Sequence, residues 1–124
     1  MHFHVGIDDD DLRIDLMNQV IYFLLYILSL STSSPFWERE NTGLKSYRLS
    51  IIGELTPTKI LNAFESYSEY QDHVISLVDA GMIEDVSKLW WDVHPSQNFP
   101  SLEMGIADVY TKIDDAATIA ALFC

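Results

Sequence analysis

The sequence predicts an α+β fold: a partial antiparallel sheet of about three strands with three or so helices. Three observations carry this. Phe3, Val5 and Ile7 alternate with His2, His4 and Gly6, the two-residue period of a half-buried strand. Ser101–Ala107 alternates in the same way, and only the loop Pro95–Pro100 separates it from the apolar segment Val86–Val93, so those two strands are expected to be antiparallel neighbours. Elsewhere apolar residues recur at spacings of three and four, the period of a helix packed on one face.

The elements follow in order. The first strand ends in the acidic run Asp8–Asp11. Carboxylates there satisfy free N–H groups and suit the positive end of a helix dipole, so a helix is expected over Asp11–Leu30. Its predicted inner face is Leu12, Leu16, Val20, Phe23, Leu24, Ile27 and Leu28. The segment Val20–Leu28 is continuously apolar. A bilayer span needs about 20 such residues, so this shorter run is read as a buried helix. Ser31–Pro35 breaks it, and Pro35–Tyr47 is irregular, with a turn at Asn41-Thr42-Gly43. Leu49–Leu55 fits either a strand or a short helix. Thr56–Lys59, with Pro57, is a turn or a helix start. Ser66 or Ser68 caps the next helix, whose apolar positions are Tyr70, Val74, Ile75 and Val78; Gly81 ends it. On the strand Val86–Val93, Trp90, Asp92 and His94 are expected on one face, with Leu89, Trp91 and Val93 on the other. On Ser101–Ala107, Leu102, Met104 and Ile106 face the core. Ser101, Glu103, Gly105 and Ala107 face away, a small and acidic surface that points to a cavity. A last helix is expected over about Val109–Phe123.

Composition narrows the function. With 19 acidic residues against 7 Lys and Arg, the formal charge is −12. A nucleic-acid surface needs clustered cations, and an anionic membrane attracts them too, so neither partner is expected. Cys124 is the one cysteine, so no internal disulfide forms; together with an acidic start unlike a signal peptide, this points to the cytoplasm.

The chemistry-bearing residues each admit two readings. His2 and His4 are a metal ligand with a phosphate contact beside it, or two half-exposed imidazoles. Glu103 among apolar neighbours is costly unless it is paired or bound to a cation, or else it lies on an edge strand in solvent. Asp92 and His94 share a pocket with Glu103, or Asp92 only forms a turn. Arg48 grips a phosphate or carboxylate, or is a surface arginine. Asp8–Asp11 lack the spaced ligands of a calcium loop and read as a helix start. Gly-rich phosphate loops and paired CxxC motifs are absent.

Taken in order, MHFHVGIDDDD, SSPFW, NTGLKSYR, WWDVHPS and FPSLEMGIAD resemble the carboxylate–amine ligase family related to glutamate–cysteine ligase type 2, with a glutamine synthetase-like fold. The resemblance runs from Met1 to near the last residue. It implies that residues 1–124 are one segment, the central part of a ligase catalytic domain. It implies His2 and Glu103 as ligands of Mg²⁺ or Mn²⁺, and His4 and Arg48 toward the phosphates of ATP. Arg48 and Asp92 would be catalytic positions, with Asp108 in or near the site. The implied reaction passes through an acyl phosphate and joins glutamate to an amine such as cysteine. The chain departs from the family pattern at Gly105 and His94, where the family usually has arginines, often near Glu40 too, and at Leu25-Tyr26, where the first helix lacks a proline. It also lacks the early strand whose glutamates complete the metal site. An inactive segment of such a ligase is therefore expected, with a homo-oligomer as the expected form of any assembly. The competing expectations are a non-enzymatic acidic module that binds a partner or oligomerises, and a hydrolase built on the two histidines.

Overall fold

In the computed structural model, the description covers residues 1–55, 63–89 and 91–124. The expectations for Thr56–Lys59 and for Trp90 lie outside these residues. The main sheet has three antiparallel strands in the order β1 (Phe3–Gly6), β5 (Ser101–Met104), β4 (Val93–Pro95), so β5 is central. The predicted α+β class and antiparallel sheet hold, and alternation explains why. Leu102, Met104 and Val93 are buried on one face, with Phe3 and Val5 partly buried beside them.

Helices cover that face. Asp9 caps α1 (Asp10–Val20) by accepting the Leu12 N–H at 2.9 Å, so the acidic run is a helix start, as its composition requires. Asp11 accepts the Tyr67 N–H at 2.9 Å and ties α1 to the start of α4 (Tyr67–Asp79). Ser66 caps α4 through the Glu69 N–H, and Gly81 closes it at φ +68°. Of the positions expected to be apolar on α4, Tyr70 and Val74 are buried, whereas Ile75 is exposed. α1 packs on α4, β4 and β5, and Ile14 and Met17 enter the core.

Several expectations are corrected. The single helix over Asp11–Leu30 is two: a 3-10 turn, Ile21–Phe23, separates α1 from α2 (Leu24–Ser31). That turn advances each residue by more than an α-helix does and changes the phase of the apolar stripe. Leu24 and Ile27 are buried as expected, but Leu12 and Phe23 are exposed, and Ile14 and Met17 take the inner face. The segment is therefore not a buried helix throughout. Tyr22, Phe23, Leu25, Tyr26 and Leu30 form an exposed apolar strip. By length and composition Asp10–Ser31 also meets the requirement for a membrane span; four of its side chains, Ile14, Met17, Leu24 and Ile27, lie in the core.

The ambiguous segment before residue 56 is helical, α3 (Tyr47–Leu55). Within Pro35–Tyr47 a hairpin forms, β2 (Phe36–Trp37) with β3 (Glu40–Asn41). Its two-residue loop, Glu38-Arg39, has φ of 48° and 72°, the positive values that a tight hairpin demands. The predicted turn beyond it is present, with the Gly43 N–H donating to Asn41 Oδ1 at 2.9 Å and Gly43 at φ +76°. The strand expected over Val86–Val93 is mostly not a strand. Val86–Lys88 is a 3-10 turn capped by Asp85, and β4 is only Val93–Pro95. β5 is shorter than Ser101–Ala107. Ser101 and Ala107, expected to face outward, are buried. The last helix, α5 (Ile113–Phe123), starts four residues later than predicted, because Asp108 is engaged elsewhere and Asp114 and Asp115 occupy its first turn.

Candidate functional site

The site grows out of strand register. β1 places His4 opposite Glu103 on β5, and β4 places His94 opposite the same Glu103. One row of side chains, His4–Glu103–His94, therefore crosses all three strands on the face away from the core. His2, two residues before His4, falls on the same side, with its Nδ1 at 2.6 Å from Glu103 Oε1. The other carboxylate oxygen lies 3.7 Å from His4 Nε2 and 3.8 Å from His94 Nε2. A carboxylate this enclosed needs such partners. The expected meeting of the early imidazoles with Glu103 is present.

The three imidazoles differ in environment. Burial pushes the His94 pKa below the ordinary 6.5, and the nearby His2 and His4 add to that; the Glu103 carboxylate and the Trp91 carbonyl pull the other way without overcoming it. His94 Nδ1 faces the Trp91 carbonyl at 3.3 Å. In the neutral ring that contact puts the proton on Nδ1 and leaves the Nε2 lone pair toward Glu103. His4 Nδ1 instead meets the Ser101 hydroxyl at 3.1 Å, and its ring stands edge-on to Phe99. His4 thus sits beside Glu103 but does not line the cleft described next.

A cleft of about 410 Å³ opens over this row. His2, Glu103, Arg48 and Asp92 border it, together with His94 and Gly105. Four of the five predicted site residues thus share one hollow. Arg48, at the start of α3, donates through Nη1 to the carbonyls of Gly105 (3.2 Å) and Ala107 (3.1 Å), which anchors the guanidinium at the end of β5. Asp92 precedes β4 and does not belong to a shared strand face, but its carbonyl accepts the Gly105 N–H at 2.9 Å and holds it at the rim. Leu49, Val86, Leu89 and Trp91 add apolar lining to the cleft.

Asp108 lies apart from the cleft and is 1 % exposed. Its Oδ2 accepts the Ser33 N–H at 3.1 Å, the Ser46 hydroxyl at 3.0 Å and the Ser34 hydroxyl; Oδ1 accepts the Val109 N–H at 2.8 Å. The Ser34 hydroxyl in turn accepts the Arg48 N–H at 3.3 Å. Asp108 is therefore a positioning residue that fixes where α3, and with it Arg48, begins. Ser34 and Ser46 fall in segments that the sequence predicts as a helix break and irregular chain; no local pattern marks them, because their partner Asp108 is distant in sequence.

His2 and Glu103 supply a nitrogen and an oxygen donor of the kind divalent cations take. Among the described residues no group of three His, Cys, Asp or Glu is arranged to hold a metal ion.

Fold and cleft together put a concave, partly apolar hollow on the open face of an antiparallel α+β sheet. The sequence pattern of glutamate-cysteine ligase family 2 matches residues 1–124, and the chain belongs to that family. A protein of Rhodospirillum rubrum named "Putative glutamate--cysteine ligase 2" is 58% identical over 123 residues, 99% of this chain and 32% of its own length. Proteins of the same name in Ruegeria pomeroyi and Jannaschia sp. are each 48% identical over 98% of this chain and 32% of theirs. The chain therefore spans about a third of the length of the relatives it matches.

Proposed function

We propose that this chain is the central part of the catalytic domain of an ATP-dependent carboxylate–amine ligase, joining glutamate to an amine such as cysteine. The observation that carries this is the 2.6 Å contact of His2 with Glu103 on the rim of the cleft, in a chain that belongs to a ligase family. In the reaction a glutamate side-chain oxygen attacks the terminal phosphorus of ATP and ADP leaves. The amine nitrogen then attacks the acyl carbon, phosphate departs, and the nitrogen loses a proton. His2 and Glu103 would hold Mg²⁺ or Mn²⁺, which neutralises charge on the phosphates. Arg48, anchored at Gly105 and Ala107, and His4 would face the phosphates, and Asp92 would stand at the reacting end. We place the protein in the cytoplasm, where its exposed Cys124 stays reduced. Alone, these 124 residues are proposed to be inactive.

Manganese tests this. In the parent chain, Mn²⁺ is expected to broaden amide resonances around His2 and Glu103 in a saturable way. The double variant His2→Ala, Glu103→Ala is expected to bind it at least ~10-fold more weakly. Equal binding by parent and variant would remove the metal assignment.

The exposed strip Tyr22, Phe23, Leu25, Tyr26 and Leu30 favours a second reading, a partner-binding or self-associating module. Sedimentation velocity is then expected to show species larger than a monomer; a clean monomer at high concentration counts against it.

A further inference from the structure

Where the polar row borders the cleft, two acceptors stand face to face. Glu103 Oε1 is engaged by His2 Nδ1 at 2.6 Å, and His2 donates, because an ionised carboxylate only accepts. Oε2 faces His94 Nε2 at 3.8 Å. His94 Nδ1 meets the Trp91 carbonyl at 3.3 Å, another group that only accepts, so the proton of the neutral ring lies on Nδ1. At about pH 8 even an ordinary imidazole is neutral. Nε2 and Oε2 then present lone pairs to each other across a gap that neither bridges. His4 Nε2 is 3.7 Å from the same oxygen, beyond hydrogen-bond length. The His94 and Glu103 side chains are 14% and 15% exposed, so they are largely shielded from bulk water, yet both border the cleft. The group that satisfies them from the cleft is a donor with at least two hydrogens, at about 2.9 Å from each atom.

Arg48 acts on the rest of such a ligand. Its Nη1 is committed to the Gly105 and Ala107 carbonyls, but a guanidinium carries further N–H groups on Nη2 and Nε. These suit a carboxylate or a phosphate oxygen alike, so Arg48 accommodates the carboxylate of an amino acid without selecting its amine.

We propose that the nitrogen of the amine substrate is seated between Glu103 Oε2 and His94 Nε2 and donates to both. His94 is then the substrate-contacting residue that selects amines with at least two N–H bonds, such as the ammonium of an amino acid. This rests on the ligase reading, because it locates the amine of that reaction. Oε1 and His2 are left to the metal.

The test compares glycine with trimethylglycine, which share a carboxylate and a positive nitrogen and differ in N–H bonds. Each is titrated at about pH 8 into the isotopically labelled 124-residue chain. The ring nitrogens of His94, assigned by their loss in His94→Gln, are followed by NMR. The free chain is expected to show the Nδ1–H tautomer. Glycine is expected to shift Nε2 in a saturable way, with trimethylglycine at least about tenfold weaker. His94→Phe keeps a ring without an acceptor and is expected to weaken glycine about tenfold, read from the Gly105 amide. His94→Gln, whose side-chain oxygen accepts in place of Nε2, is expected to restore most of that loss. An Nε2–H tautomer in the free chain, trimethylglycine binding as well as glycine, glycine leaving Nε2 unmoved, or His94→Phe binding like the parent overturns the proposal. Should His94→Phe not fold, the tautomer and the two ligands in the parent chain decide. If the proposal fails while Mn²⁺ still binds through His2 and Glu103, the ligase reading stands and only the seat of the nitrogen falls. Loss of the Mn²⁺ site removes the ligase reading itself.

Discussion

Replacing Asp108 by alanine is expected to lower the unfolding free energy by about 3–5 kcal/mol. The side chain is buried and accepts hydrogen bonds from Ser33, Ser34, Ser46 and Val109. Removing it leaves several donors without a partner in a region closed to water, and each such loss is worth on the order of 1–3 kcal/mol. The Ser31–Ser34 turn and the start of α3 then lose their common anchor. Asp108→Asn keeps one acceptor oxygen and is expected to cost about half as much. Urea midpoints at pH 7 measure both.

The same residue imposes a pH dependence. Burial raises the Asp108 pKa, but the hydrogen bonds from Ser34, Val109, Ser33 and Ser46 outweigh it and hold the carboxyl below its ordinary 3.8. A folded-state pKa below the unfolded one means that the unfolded chain takes up the proton first. The contribution is therefore complete above the ordinary value and is lost as pH falls through the lowered one. Acid unfolding of the parent is expected to steepen below about pH 4, and that part of the slope is expected to vanish in Asp108→Asn. An unchanged acid limb in the variant would show that the carboxylate is not held as the geometry implies.

Trp91→Ala is expected to cost a further ~3–5 kcal/mol by leaving a cavity. Trp91 is buried where three aromatic rings converge: Phe64 stacks on it at 6.1 Å, Tyr70 meets it edge-on at 5.9 Å, and His73 lies at 5.9 Å. It also lines the cleft. Trp91→Phe is the milder change. The indole N–H is buried without a hydrogen-bond partner among the described residues, so deleting it removes an unsatisfied donor while most of the ring contact survives. Its expected cost is about 1 kcal/mol. A Trp91→Phe variant as unstable as Trp91→Ala would mean that the ring's exact shape, not its burial, holds this cluster.

Features encoded over short distances were legible beforehand. Alternation in Phe3–Ile7 and in Leu102–Ile106 told which side chains enter the core, because a strand has only two faces. It therefore also put His2 and His4 on one side and Glu103 on an outward face. Asp9, Ser66 and Gly81 announced helix ends through groups that act within three or four residues. The misassignments have equally local causes. Val86–Val93 reads as a strand by its aromatic and β-branched residues, yet Asp85 accepts the Ser87 N–H at 2.7 Å and turns the chain into a 3-10 turn first. Val20–Leu28 is apolar all round, so its spacing picked out Leu24 and Ile27 but could not exclude Phe23 from the buried side, and the inserted 3-10 turn decided that.

By itself, the amino-acid sequence determined the α+β class, the ligase family and the strand faces on which His2, His4 and Glu103 lie. Each of these depends on patterns read within a strand or a helix, or along the order of motifs. Only the tertiary structure decided which of those residues meet. The row His4–Glu103–His94 exists because β5 lies between β1 and β4 in one particular register, and a shift of one residue would have turned Glu103 into the core. The Asp108 anchor joins serines 62 to 75 residues away. Such contacts are set by how the helices and the sheet close on each other, where burial makes every polar group find a partner, and no local period records that choice.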